Sequence, residues 1–145
     1  MISTQRWRDN WRAVTSDGAV RAELQRSPAK RRDSLARIRE LEPGTPVVLS
    51  ASAPGAVGRC RAFASAAGVE LEREYLAFPT GAAPAYLVED APAPIRLFVG
   101  TLLVAPPRTR MSVPIEIGLD LLRFLNPWRV VHALAPGRVV VGRRA

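Results

Sequence analysis

The residues that could do chemistry in this chain are few, and they are scattered. His132 is its single histidine, the side chain whose ordinary pKa lies closest to neutrality. Glu89 and Asp90 are adjacent carboxylates, with Tyr86 just upstream. Folded together, Tyr86, Glu89, Asp90 and His132 would form an acid–base group in which a carboxylate orients the imidazole. Residue types alone do not bring them together, and a surface histidine with a solvated acidic turn is the plainer reading. Cys60 is the single cysteine. Arg59 and Arg61 flank it and could lower its pKa toward a nucleophilic thiolate, although a lone cysteine on an apolar helix face more commonly fills a core. One cysteine excludes an internal disulfide, and one histidine excludes a His-rich metal site. No metal is expected.

A second group could hold an anion. Pro54, Gly55 and Gly58 open a helix just after an apolar strand, and backbone N–H groups at a helix start favour negative charge. Arg59 and Arg61 are close enough to assist. The segment Ala53-Pro54-Gly55-Ala56-Val57-Gly58 matches neither a P-loop nor a dinucleotide fingerprint. The alternative is an ordinary strand-to-helix turn. A third group could dock on a partner or lie on an anionic membrane. Trp7 and Trp11 recur at helical spacing among Arg6, Arg8 and Arg12, and Trp128 lies in an Arg-bordered apolar region from Ile95 to Val131 with Phe98 and Phe124. The alternative is that both stripes are core.

Composition bounds these possibilities. The chain has 145 residues, 48% hydrophobic and 23% charged, which fits one globular domain. Aromatics are 6%, so the core must come from Ala, Val, Leu and Ile. Lys and Arg number 21 against 13 Asp and Glu, a formal charge of +8, and Lys30 is the one lysine. The basic surplus lies at residues 1–45 and 107–145, around a nearly neutral centre. Such a balance favours anionic partners (nucleic acid, acidic lipid headgroups, phosphorylated metabolites or an acidic protein), and the plainer alternative is an Arg-rich composition that serves solubility. The run Lys30-Arg31-Arg32 would attract phosphate, but zinc-finger spacing and RNA-recognition aromatics are missing, so specific nucleic-acid binding is not expected. No apolar run reaches bilayer-spanning length, and Met1 to Asn10 lacks a signal-like apolar run. With a lone thiol, the expected compartment is the cytoplasm, peripheral to a membrane if the tryptophans meet one.

The elements that must position these residues read as follows. Residues 3–15 form a short helix that Ser3 could cap. Residues 28–41 form a helix with Ser27 as cap and Pro28 in the first turn, stopped by Pro43-Gly44. Val47–Ala51 is a buried, parallel strand. A third helix capped by Ser52 enters through Pro54 and ends at Gly68. Val69–Phe78 and Ala85–Glu89 are strands spaced for an antiparallel hairpin, with Glu70, Glu72 and Glu74 on a solvated face. An apolar stretch follows from Ile95 to Val104. Ser112–Leu125 is an amphipathic helix, Trp128–Leu134 adds a further turn, and Arg138–Gly142 is a last strand. The result is an α/β fold: a small mixed sheet flanked by helices. The expected organisation is one domain, with a basic helical region (1–42), an α/β core (43–90) and a helical C-terminal region (91–145).

The segment Leu41-Glu42-Pro43-Gly44-Thr45-Pro46-Val47-Val48-Leu49 resembles the Leu-Lys-Pro-Gly-Gly turn of class I S-adenosylmethionine-dependent methyltransferases, which leads into the fifth strand of their sheet. In that family a helix follows, then an Ala-Gly-hydrophobic step into a final antiparallel strand pair. Here the step is Ala67-Gly68-Val69-Glu70-Leu71, and the pair would be Val69–Phe78 with Ala85–Glu89. The resemblance covers residues 41–89 and implies a partial Rossmann-like fold. The family's cofactor site lies in its first half, and residues 1–40 cannot supply two βαβ crossovers. The resemblance therefore implies a truncated or degenerate methyltransferase-like protein. It would bind no cofactor alone and would be an accessory subunit, with S-adenosylmethionine possible if a protein partner or a second copy completes the site. The alternative, from a different class, is a non-enzymatic basic module that binds an anionic membrane surface or an acidic protein.

Overall fold

A computed structural model describes residues 7–101, 112–124 and 127–145. It is a mixed α/β structure built on a five-stranded sheet of order β1-β2-β5-β3-β4. The strands are β1 (Val20–Glu23), β2 (Pro46–Ser52), β3 (Val69–Phe78), β4 (Tyr86–Glu89) and β5 (Gly137–Arg144). The helices are α1 (Pro28–Arg39), α2 (Ala56–Ala67), α3 (Pro92–Thr101), α4 (Ser112–Phe124) and α5 (Pro127–Leu134). The chain divides into two compact units, Met1–Leu87 with Ala135–Ala145, and Val88–Leu134.

In the first unit β1 and β2 are parallel, and the last strand, β5, lies antiparallel between β2 and β3. β2 is therefore parallel to one neighbour and antiparallel to the other. It is buried on both faces, which explains its near-continuous apolar sequence. Val47, Leu49 and Ala51 face one core with Val140, Ile38 of α1, and Cys60, Phe63 and Ala64 of α2. Val48, Val139 and Val141 face the other, with Trp11, Tyr75 and Ala77. Side chains alternate along a strand, so this split follows from sequence parity once both faces are covered.

Several expected elements are corrected. In the tryptophan segment Trp7 is helical and Asn10–Val14 is a separate 3-10 turn, so one helix does not run through to residue 15. Ser3 and Arg6 lie outside the described residues, as do Leu102 to Val104 of the apolar stretch and Leu125. The described part of that stretch belongs to α3. The cap of α2 is Gly55, in the left-handed region at φ 74°, and not Ser52. β1 was not anticipated: Val-Arg-Ala-Glu is too short and too polar to signal a strand, and its ladder comes from β2. The last strand is longer than Arg138–Gly142. The alternation expected along β3 breaks where the register shifts between Leu71 and Arg73. Beyond that irregularity Tyr75, Leu76 and Ala77 are all buried, and Glu74 is held by arginines rather than solvated.

Two glycines set a close approach in this unit. A Cβ on Gly81 would sit 2.1 Å from the Ala51 carbonyl oxygen, and one on Gly137 would sit 2.1 Å from the Gly81 nitrogen. Arg21 holds the same loop. Its guanidinium donates to the carbonyl of Ala82 at 2.8 Å and to that of Arg8 at 2.8 Å. It also lies 5.8 Å from the Trp11 ring centroid. Half-burial pushes its pKa down, and Glu23 and Asp9 partly restore it.

In the second unit α3 buries Ile95, Phe98 and Val99, and α5 buries Pro127 and Val131. Among the described residues, no helix is long and apolar enough to cross a membrane.

Candidate functional site

Four local arrangements bear on the candidate residues. The first lies in the second unit. Asp90 precedes α3, and its carboxylate is 7% exposed. Trp128 donates its indole N–H to Asp90 Oδ1 at 2.9 Å, and His132 Nδ1 lies 2.8 Å from Oδ2. Trp128 and His132 are i and i+4 on α5, so they share a face. With Asp90 ionised, its carboxylate only accepts, and His132 would present Nδ1–H to it. The structure thus joins two of the four acid–base candidates and adds Trp128. Glu89 is exposed, and Tyr86, also exposed, belongs to the first unit. The evident role of the Asp90 contacts is to tie α5 to the segment before α3.

The second arrangement surrounds Cys60. The thiol is fully buried and its pKa is pushed up to about 12, mainly by desolvation, with Arg138 and Arg59 opposing the shift. The expectation of a reactive thiolate is overturned: burial outweighs the neighbouring arginines. Arg138 is 1% exposed and donates to Glu74, which also accepts from Arg61 Nε at 3.0 Å. Sequence reading missed this cluster, because Arg138 looks like a surface charge at the edge of a strand.

The third is the proposed anion site. Gly55 and Gly58 open α2 as expected. Arg59, however, turns back to donate to the carbonyls of Ser52 and Pro54, and Arg61 is engaged by Glu74. In this structure both guanidinium groups serve the fold at the positions where an anion was expected.

The fourth is the set of exposed apolar surfaces. Trp11 is buried against the sheet, so the Trp7/Trp11 stripe is not an exposed docking face. The backbone carbonyl of Arg8 accepts from the Arg21 guanidinium, and Arg12 pairs with Asp9 and lies 5.5 Å from the Trp11 ring centroid. Trp7 is half-buried. Trp128 is half-buried and committed to Asp90. The exposed apolar face is instead on α4. Val113, Ile117 and Leu121 are 61%, 64% and 60% exposed, and Phe124 is 94% exposed. At 3.6 residues per turn these four fall within about 80° of arc. Ile115, by contrast, is half-buried. Glu116 and Asp120 lie along one edge of the apolar stripe. The sequence carried this signal as amphipathic spacing, but spacing alone does not say which apolar residues stay outside.

No protein-family model matches the chain, and no curated protein or solved structure matches it either. The functional reading therefore rests on these surfaces. Among the described residues, no group of three or more His, Cys, Asp or Glu is placed to hold a metal ion. The residues before β2 also do not suit a nucleoside cofactor. Leu24 to Ser27, the turn after β1, contains no glycine and begins with the buried Leu24, while Arg59 occupies the turn after β2.

Proposed function

We propose that this chain is a non-catalytic α/β module that docks a protein partner through the exposed face of α4. The observation that carries the reading is the stripe Val113–Ile117–Leu121–Phe124, left exposed on a helix of 13 residues. Isolated exposed apolar residues are ordinary, whereas four on one helix face form an interaction surface. Glu116, exposed at one edge of the stripe, disfavours an anionic membrane as the occupant. It favours a partner helix with an apolar face and a Lys- or Arg-bearing edge.

A photo-crosslinking residue at position 117, introduced in the native host, tests this. The expected result is one protein crosslinked at 117, and lost in the Leu121→Glu/Phe124→Glu variant while that variant keeps the wild-type melting temperature. Binding of the purified chain to anionic vesicles that the same double variant abolishes would overturn the reading.

A second reading concerns what such a module accompanies. What supports it is the path of the chain through Leu41–Leu49 into β2, along α2, and through Ala67-Gly68-Val69 into β3. The antiparallel partner between these strands is β5, and β4 lies on the other side of β3. On this second reading the chain would be a methyltransferase-like accessory chain whose partner holds the cofactor, with β5 added to the strand pair that the resemblance implies. Melting scans with S-adenosylmethionine and S-adenosylhomocysteine address it. No shift is expected for the chain alone, and a ligand at about 100 times its Kd would contribute roughly 2.7 kcal/mol if this chain held the site itself.

A further inference from the structure

The groove between α1 and α2 has a volume of about 680 Å³. Leu35, Phe63 and Ala66 line its apolar part, while Arg31, Arg32 and Arg59 line the rest, and no acidic residue contributes. α1 joins β1 to β2, and α2 joins β2 to β3. These three strands run in one direction, β3 through its antiparallel pairing with β5. Both helices must therefore run back against the strands, with their N-termini at the same end. Arg31 and Arg32 lie near the start of α1, and Gly58 and Arg59 near the start of α2. Positive side chains and two positive helix ends thus gather at one end of the groove. Phe63 and Ala66 continue toward the other.

The guanidinium groups of Arg31 and Arg32 have no hydrogen-bond or ion-pair partner among the described residues. Arg59 Nε is buried without a partner, although its terminal nitrogens bond the carbonyls of Ser52 and Pro54. We propose that this groove binds a small amphiphilic anion. Its carboxylate or phosphate head lies at Arg31 and Arg32, and its apolar chain runs along Phe63 and Ala66. The volume is that of a small-molecule cleft, about 300–1,000 Å³. A docked protein would need roughly 800 Å² of surface on this side. From Gly58 to Ala66 the helix rises about 12 Å, the reach of a medium-length acyl chain.

The test is calorimetric titration with decanoate and with decyl phosphate, each below its micelle concentration, beside decanol and inorganic phosphate. At least one amphiphile is expected to bind and raise the melting temperature, and the tighter of the two identifies the head group. Decanol and phosphate alone should bind at least tenfold more weakly. Arg31→Ala/Arg32→Ala should weaken amphiphile binding at least tenfold. Gly58→Leu should abolish it, because a Cβ at Gly58 meets nothing within 4 Å and the added side chain would fill the groove rather than strain the fold. Both variants should melt within a few degrees of wild type without ligand. No binding of either amphiphile, equal binding of decanol or of phosphate, or unchanged binding by Gly58→Leu would overturn the proposal.

Discussion

Asp90 and His132 meet at 2.8 Å, carboxylate oxygen to ring nitrogen, across a separation of 42 residues. The same carboxylate takes the Trp128 indole N–H on its other oxygen. One side chain thus gathers two from α5. Removing it takes a shared partner from two half-buried polar groups.

Asp90→Ala is therefore expected to destabilise the protein by about 1–3 kcal/mol, the range for losing charge-assisted hydrogen bonds to a carboxylate. Trp128→Phe, which removes one donor and keeps most of the ring, should cost less. Urea denaturation of both variants checks the order, and equal losses would show that the carboxylate is not the shared acceptor.

Glu74 makes a sharper contrast. Its buried partner is Arg138, and its surface partner is Arg61, whose side chain is 55% exposed. Glu74→Ala takes its carboxylate partner from a buried guanidinium, and breaking such a pair costs up to about 3–5 kcal/mol. Arg61→Ala removes a solvated pair worth about 1 kcal/mol or less. Denaturation of the two single variants measures the gap.

Trp11 packs on Tyr75, Val48 and Val141 and is nearly buried. Trp11→Ala is expected to cost about 3–5 kcal/mol, in the range of large-to-small core substitutions. A Trp11→Ala protein that melts like wild type would mean that the residue lies on the surface.

Cys60 is expected to resist alkylation in the native state. Its pKa stands at about 12, against an ordinary value of 9.0. At pH 8 iodoacetamide should label it no faster than the protein unfolds, and addition of urea should expose it. Because the native pKa is the higher one, the stability tied to this thiol is fully present below about pH 9 and declines as the pH rises toward 12. Rapid labelling under native conditions would show an accessible thiolate.

The sequence by itself determined what is local. Pro28 marks the start of α1, Gly68 marks the stop of α2, and the apolar run from Val47 marks a buried strand, because φ restrictions and burial on both faces act over a few residues. Only the tertiary structure decided the rest. Strand β5 lies between β2 and β3, although nothing local in Gly137–Arg144 says which strands will flank it. That placement buries Arg138 against Glu74, 64 residues away, and turns an apparent surface charge into part of the interior. Packing against the sheet took Trp11 inside, while Phe124 on α4 stayed exposed. Amphipathic spacing records which residues share a face. Whether that face meets the core depends on elements far along the chain, and their contacts exist only after the chain closes on itself.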